Sequence, residues 1–150
     1  MLRTNDIKKV AVSAAMACLC AALSAHGQVA VDKPVHLARV EGYVANSVGT
    51  PVVNAEVTLD RDCTVAQRTR TDQAGAFHFD RILGHYWFRV ARTEYAPAAR
   101  EIEVGDLVTS YLERKKLYVM VGPGACADAC SSVFTSKHEF ERAIQKNKRH

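Results

Sequence analysis

The sequence lacks a hydrophobic run long enough to cross a bilayer. Its most apolar stretch, residues 10–25, continues for sixteen residues without a charge, whereas a helix needs about 20 such residues to span the hydrocarbon core. A basic start precedes the stretch and small residues follow it, which is typical of a secretory signal peptide. We therefore predict cleavage after Gly27 and no stable membrane span afterwards. Two alternatives remain open, a retained N-terminal anchor and a lipoprotein anchored through Cys18.

A strong charge of one sign is missing as well. The formal net charge is +4, and cleavage would remove a net +2 of it, because residues 1–27 carry three basic residues against Asp6. The remaining basic excess lies in the C-terminal QKNKRH, which we interpret as a solvated tail. So few charges give little affinity for phosphates at physiological salt. The composition therefore predicts no nucleic-acid partner.

Complete catalytic motifs are also absent. No G-x-S-x-G sequence is present, so nucleophilic hydrolysis has no local support. The single H-x-x-E sequence runs from His138 to Glu141, and only His150 follows it. A catalytic zinc site needs three protein ligands, so we interpret this match as part of a solvated helix face.

Two further pairs of polar residues have ordinary interpretations. Glu101 and Glu103 share one face of a predicted strand, and no second carboxylate-rich loop faces them, so we interpret them as exposed polar residues. His78 and His85 fall on strands predicted to be neighbours, and we interpret them as exposed sheet histidines rather than a metal-binding pair. We therefore predict no enzymatic activity, no metal and no cofactor.

The sequence does contain a long region with the pattern of β-strands. Residues 38–121 alternate apolar and polar positions with a period close to two, and turn residues recur at short intervals. No segment within it is long enough for a crossover helix, so we predict an all-β fold, a seven-stranded antiparallel β-sandwich. Residues 66–71 are polar on both faces, which predicts an edge strand. The predicted core contains Val57, Leu59, Phe77, Phe79, Phe88, Val90 and Ile102.

One short helix is predicted near the C-terminus. Residues 136–147 begin with Ser136 and have Glu139 three positions later, which is a capping box. Phe140 and Ile144 lie on one face at helical spacing, so the helix can pack on the sandwich. The predicted organisation is a signal peptide at 1–27, a linker at 28–37, the sandwich at 38–121, and a cysteine-containing loop with the C-terminal α-helix at 122–150.

Several short motifs in the sandwich region follow the pattern of a known family. They are Val40-Gly42-Val44, Gly49-Pro51-Val52, Ala55-Val57-Leu59, Thr71-Asp72-Gly75-Phe77 and Leu83-His85-Tyr86. With these motifs the region resembles the carboxypeptidase regulatory-like domain family, which has a transthyretin-type (prealbumin-like) β-sandwich. The resemblance covers roughly residues 38–105 and implies the fold. Its motifs are turn glycines and alternating core positions, which indicate almost nothing about a ligand.

Two classes of function fit these observations. We predict a non-catalytic exported module, periplasmic or secreted, with a structural or protein-interaction role and an unknown partner. The alternative is a carbohydrate-binding module, because the resemblance implies a carbohydrate-binding-like fold. Its candidate ligand-binding residues are Trp87 and Tyr43 at outward strand positions and Tyr95 in a loop. For Trp87 we favour packing beneath the C-terminal helix, because tryptophan is highly buried on average.

The cysteines of the mature chain are Cys63, Cys126 and Cys130. A zinc site would need a further ligand beyond these three, and a redox centre would need a thiolate stabilised by a basic neighbour. An exported chain meets an oxidising compartment. Residues four apart in a helical turn lie near the ~5.5–6 Å Cα separation that a disulfide prefers. We therefore predict a disulfide between Cys126 and Cys130, with Cys63 as a rival partner.

Overall fold

Nine β-strands and one α-helix are formed by the residues that the computed structural model describes, which are 33–80, 82–105, 115–125 and 130–149. All of them belong to one unit of the chain, Asp32–His150. The helix α1 is Lys137–Asn147. The strands are β1 (Val35–Leu37), β2 (Glu41–Asn46), β3 (Glu56–Arg61), β4 (Thr64–Arg70), β5 (Ala76–His78), β6 (Gly84–Ala91), β7 (Ala98–Val104), β8 (Leu117–Val121) and β9 (Ser132–Phe134).

The strands form two sheets around one core. A five-stranded sheet has the order β1-β7-β6-β3-β4, and a four-stranded sheet has the order β5-β2-β8-β9. The seven predicted strands are present as β2 to β8, so the predicted β-sandwich with a terminal helix is confirmed. The pattern does not predict β1, which lies in the predicted linker, or β9, which lies in the predicted cysteine-containing loop. Each has three residues, too few for a periodic pattern.

Two of the strand pairings differ from the wholly antiparallel arrangement that the sequence predicts. β1 pairs with β7 in parallel, and β2 pairs with β8 in parallel, while the other pairings are antiparallel. Alternation shows which face of a strand is apolar, but it does not show which strand lies beside it or in which direction. The prediction that residues 66–71 form an edge strand is confirmed, because β4 ends the five-stranded sheet.

The inward side chains of both sheets form the core. Phe88 of β6 meets Phe77 of β5 with their ring centroids 5.5 Å apart, which joins the two sheets. The prediction for Phe79 is wrong, since β5 ends at His78 and Phe79 is only half-buried at the edge of the core. The six other predicted core residues are buried: Val57, Leu59, Phe77, Phe88, Val90 and Ile102.

The helix covers part of the four-stranded sheet. Phe140 and Ile144 are buried against β2 and β8, as the apolar spacing of the helix predicts. The Ser136 hydroxyl caps the first turn by accepting a hydrogen bond from the Glu139 backbone N–H at 3.4 Å, which confirms the predicted N-cap. The helix therefore leaves the outer face of the five-stranded sheet uncovered by any described element.

The turn between β4 and β5 shows why its motif residues are needed. Asp72 accepts hydrogen bonds from the backbone N–H groups of Ala74 and Ala76, at 2.8 and 2.9 Å. Gly75 has a φ of +76°, and a Cβ there would lie 2.5 Å from the carbonyl oxygen of Val44. Both observations confirm the turn predicted at residues 72–75, and the close approach of Val44 makes any larger residue at position 75 unfavourable.

A glycine in β2 allows the sheet to close. Gly42 lies between Phe77 of β5 and Leu117 of β8. A Cβ at this position would lie 2.0 Å from the Leu117 carbonyl oxygen and 2.8 Å from the Phe77 ring. The middle residue of the V-x-G-x-V motif therefore has no room for a side chain.

Thr71 joins two backbone groups inside the sandwich, and its loss is expected to destabilise the fold. Its hydroxyl donates to the Val52 carbonyl at 2.7 Å and accepts from the Ala55 N–H at 2.8 Å, and the residue is buried. Thr71→Val keeps the shape but leaves both groups unpaired, so we expect the unfolding free energy to fall by about 2 kcal/mol. Urea denaturation measures this. Thr50→Val, at an exposed turn position, is the control, and equal losses for the two variants would contradict the proposed role.

The predicted signal peptide and its cleavage after Gly27 lie outside the described residues. Within residues 33–80, 82–105, 115–125 and 130–149, no helix has both the length and the apolar character that a membrane crossing requires. The prediction of an exported chain therefore stays a prediction.

Candidate functional site

Trp87 lies on the uncovered outer face of the five-stranded sheet. Strand β6 alternates strictly, with Tyr86 and Phe88 turned into the core and Trp87 turned outward. The Trp87 residue is 47% exposed. The prediction that it packs beneath the C-terminal helix is wrong, because the helix packs on the other sheet. A large aromatic side chain is thereby left in solvent on a rigid strand.

Charged residues flank Trp87 on both neighbouring strands. In the strand register, Asp60 of β3 stands beside Trp87 on one side and Glu101 of β7 on the other. Arg89, two residues along β6, forms an ion pair with Asp60 at 3.1 Å. The second carboxylate oxygen of Asp60, Oδ1, is buried and has no hydrogen-bond partner in the described structure. A buried acceptor without a donor is costly unless a ligand or water supplies one.

A second cluster joins three strands at the same face. One carboxylate oxygen of Glu103 in β7 lies 2.9 Å from His36 Nδ1. The other oxygen lies 3.2 Å from His85 Nε2. His36 belongs to β1 and His85 to β6, so the carboxylate ties the short edge strand to the sheet. We call Asp60, His85, Trp87, Arg89, Glu101 and Glu103 together the Trp87 face.

An open depression of about 610 Å³ lies beside Trp87, near the turn between β3 and β4. Arg61 forms part of its wall, with its guanidinium 4.3 Å from the centroid of the Tyr86 ring and a hydrogen bond to the Leu83 carbonyl at 2.9 Å. The Tyr86 hydroxyl donates to the same carbonyl at 3.1 Å. These contacts hold Arg61 in place, so the wall beside Trp87 is preformed.

The three candidate ligand-binding residues do not come together. Tyr43 lies beside the helix with its ring edge-on to Phe140, 5.9 Å between centroids, and its burial raises the pKa of its hydroxyl. Tyr95 is half-buried against the core and is bridged to Pro123. Only Trp87 of the three lies on the open face of the five-stranded sheet.

His78 and His85 are both exposed on strands or strand ends, as predicted. His78 lies on β5 of the four-stranded sheet, and His85 lies on β6 of the other sheet, so the prediction that their strands are neighbours is wrong. His138 of the H-x-x-E sequence contacts Arg142 at 3.4 Å on the helix surface. Within the part of the chain that the structure describes, no group of three histidine, cysteine or carboxylate side chains is suited to hold a metal ion.

The cysteines are partly described. Cys63 is a free, exposed thiol at the turn between β3 and β4, so the rival bridge through Cys63 is not formed. Cys130 is disulfide-bonded. Cys126 lies outside the described residues, so its pairing with Cys130 stays a prediction that non-reducing peptide mapping checks.

Sequence reasoning misses most neighbours of Trp87. The outward position of Asp60 follows from alternation, but its place beside Trp87 depends on the pairing of β3 with β6. His36 is missed because it lies in the predicted linker. A pattern along one strand carries no information about the register across strands, so no sequence signal marks the His36–Glu103–His85 cluster.

Comparison with known proteins gives three findings. The model of the carboxypeptidase regulatory-like domain family matches residues 39–113. Among curated proteins, no sequence matches. Among solved structures, the Klebsiella pneumoniae 5-hydroxyisourate hydrolase is similar at 15% identity and a TM-score of 0.48, over 67% of this chain and 100% of that one. A likeness this distant carries no argument about activity.

Proposed function

The chain belongs to the carboxypeptidase regulatory-like domain family, and from this membership we propose that it is an exported, non-catalytic module that binds a partner protein through the Trp87 face. The non-catalytic part of the proposal is supported by the family, whose members are non-catalytic β-sandwich modules. The binding role rests on one observation, the exposure of Trp87 at the centre of a face that no described element covers.

The Trp87 face has the composition of a binding surface. Tryptophan and arginine are the residues that contribute most to protein interfaces, where a central aromatic side chain is surrounded by polar groups. Trp87 supplies the aromatic centre, and Arg89 and Glu101 stand at its border. Because β6 lies between β3 and β7, the backbone beneath Trp87 is rigid, and binding would require little ordering of the protein.

A photo-crosslinking experiment tests this proposal. Benzoylphenylalanine at position 87 is expected to give one discrete adduct with a partner protein in cells of the native host, because position 87 would lie within the interface. Position 53 is the control, since Val53 is also exposed, at 39%, but lies in the turn between β2 and β3. The absence of an adduct at position 87, or equal adducts at both positions, would contradict the proposal.

A glycan is the second candidate ligand, and the exposed aromatic ring with polar groups around it favours this candidate. Arg89 pairs with Asp60, and both His36 and His85 contact Glu103. On the Trp87 face the three carboxylates of Asp60, Glu101 and Glu103 outnumber the single guanidinium of Arg89, so the face does not favour a polyanion. The side chains of Arg89 and Glu101, which are partly exposed beside Trp87, can hydrogen-bond a neutral polyhydroxyl ligand.

Fluorescence separates the two candidates, because Trp87 is the sole tryptophan of the chain. If the ligand is a glycan, soluble neutral oligosaccharides should shift the emission to the blue as a sugar ring excludes water from the indole. The shift should persist at high salt, since no net charge is involved. An unchanged spectrum together with a protein adduct at position 87 supports a protein partner instead.

Export is the remaining part of the proposal. It rests on the basic start, the apolar stretch at residues 10–25 and the small residues that end at Gly27. The intact mass of the protein recovered from the envelope or the medium tests it. A mass that begins at Gln28 supports cleavage after Gly27, and a full-length mass favours the retained anchor.

A further inference from the structure

A groove runs between the helix and the four-stranded sheet, on the side of β2. Its volume is about 750 Å³. Tyr43 of β2 and Tyr118 of β8 are directly paired across the strands and form its floor. The helix forms its wall. We call it the helix groove, lined by Tyr43, Tyr118, Lys137, Arg142, Gln145 and Lys148.

The floor of the helix groove presents aromatic surface together with free hydrogen-bond donors. The Phe140 ring packs against both tyrosines, with centroids 5.9 Å from Tyr43 and 5.6 Å from Tyr118, so the floor is rigid. Neither tyrosine hydroxyl bonds another residue of the described structure, in contrast to the Tyr86 hydroxyl, which donates to Leu83. A tyrosine hydroxyl is a donor at neutral pH, and burial moves the pKa of Tyr43 further from neutral.

The wall of the helix groove carries cations that the described structure leaves without carboxylate partners. Arg142 lies 3.4 Å from His138 Nε2, and neither Arg142 nor Lys148 forms an ion pair with a described residue. Lys137 lies 3.6 Å from Glu141, but both side chains are more than half exposed, and such a pair stabilises little. The groove is therefore net positive, because Lys137, Arg142 and Lys148 face the single carboxylate of Glu141.

We propose that the helix groove binds an acidic segment of a partner protein that also carries apolar side chains. Carboxylates of the segment would pair with Lys148 and Arg142 and accept from the Tyr43 hydroxyl, while its apolar side chains would cover the tyrosine rings. Nucleic acid fits less well, because the few cations of the wall are interrupted by Glu141 and give little phosphate affinity at physiological salt. This inference is independent of the proposed function, since the groove lies on the other sheet.

The test is a titration of the isotope-labelled purified protein with each of two synthetic capped peptides. Nuclear magnetic resonance monitors the titration through the signals of individual residues. One dodecapeptide alternates Glu with Leu and Tyr, and the other has Lys in place of each Glu. We expect the acidic peptide to shift the signals of Tyr43, Tyr118 and Lys148 and to leave Trp87 unchanged. The basic peptide should shift none of them, because the groove would repel it.

Charge-reversal variants provide the matched control. Arg142→Glu with Lys148→Glu should raise the dissociation constant of the acidic peptide at least about tenfold. Lys33→Glu with Arg70→Glu makes the same change in net charge at exposed positions away from the groove, and it should have little effect. Tyr43→Phe removes one hydroxyl without disturbing the ring packing and should weaken binding about threefold.

Three results would overturn the inference. The first is no shift at Tyr43 and Tyr118 with the acidic peptide at low salt. The second is equal weakening by the two double variants, which would indicate an effect of net charge alone. The third is tighter binding of single-stranded oligouridylate than of the acidic peptide, which would make the groove a polyanion site. A failure here leaves the crosslinking result at position 87 unaffected, because Trp87 belongs to the other sheet.

Discussion

Replacing Phe88 by alanine is expected to lower the free energy of unfolding by about 3–5 kcal/mol. Phe88 is 0% exposed and lies on β6, between β7 and β3 in the five-stranded sheet. Its ring packs against Phe77 of the other sheet. Removal of the ring therefore leaves a cavity between two sheets whose backbones are held by hydrogen bonds and cannot collapse to fill it.

Urea denaturation of Phe88→Ala and Phe79→Ala compares the same substitution at two burial levels. Phe79 is half-buried at the edge of the core, so its loss should cost about 1–2 kcal/mol. A cost at Phe88 below about 1 kcal/mol, or a larger cost at Phe79 than at Phe88, would show that the core is not where the structure has it.

Replacing Gly42 by alanine is expected to destabilise the protein by about 3 kcal/mol or more. The added Cβ would meet the Leu117 carbonyl oxygen at 2.0 Å and the Phe77 ring at 2.8 Å. The first of these is backbone, which cannot rotate away, so β2 and β8 would have to separate. Since β2 holds both β5 and β8, the strain would fall on the whole four-stranded sheet.

Gly124→Ala is the control for the Gly42 variant. A Cβ at position 124 would lie 3.3 Å from its nearest neighbour, the Glu94 carbonyl oxygen, so a small shift relieves the contact and the cost should be below about 1 kcal/mol. Thermal unfolding by circular dichroism measures both variants. Equal midpoints for Gly42→Ala and the unchanged protein would contradict the close approach of β2 and β8.

Local sequence patterns predict the features that depend on a few consecutive residues. The inward positions of Phe88 and Val90, the hydrogen bonds of Asp72 in its turn and the Ser136 cap all follow from spacing or residue type. The family motifs also contain residues whose contacts lie at more distant positions in the chain, since Gly42 closely approaches Leu117 and Thr71 bonds Val52 and Ala55.

Features that depend on which strands are neighbours could not be predicted. The positions of His78 and His85 on different sheets, and of Trp87 on the face opposite the helix, require the assignment of each strand to a sheet. The alternation of apolar and polar residues along a strand is the same whichever sheet the strand belongs to. The Trp87 face and the helix groove are both assembled across strands, and therefore neither is visible along the chain.

The parallel pairing of β2 with β8 has a consequence for the time at which the chain can fold. Gly42 pairs with Leu117 and Asn46 with Val121, so the centre of the four-stranded sheet joins an early segment to a late one. Contacts between segments so far apart in the chain form slowly, because a long loop must close before any of them is made. A growing chain therefore cannot complete this sheet until β8 has been synthesised. Under the proposed export, that delay would leave the sheet unformed while the preceding segments are threaded through a translocation channel.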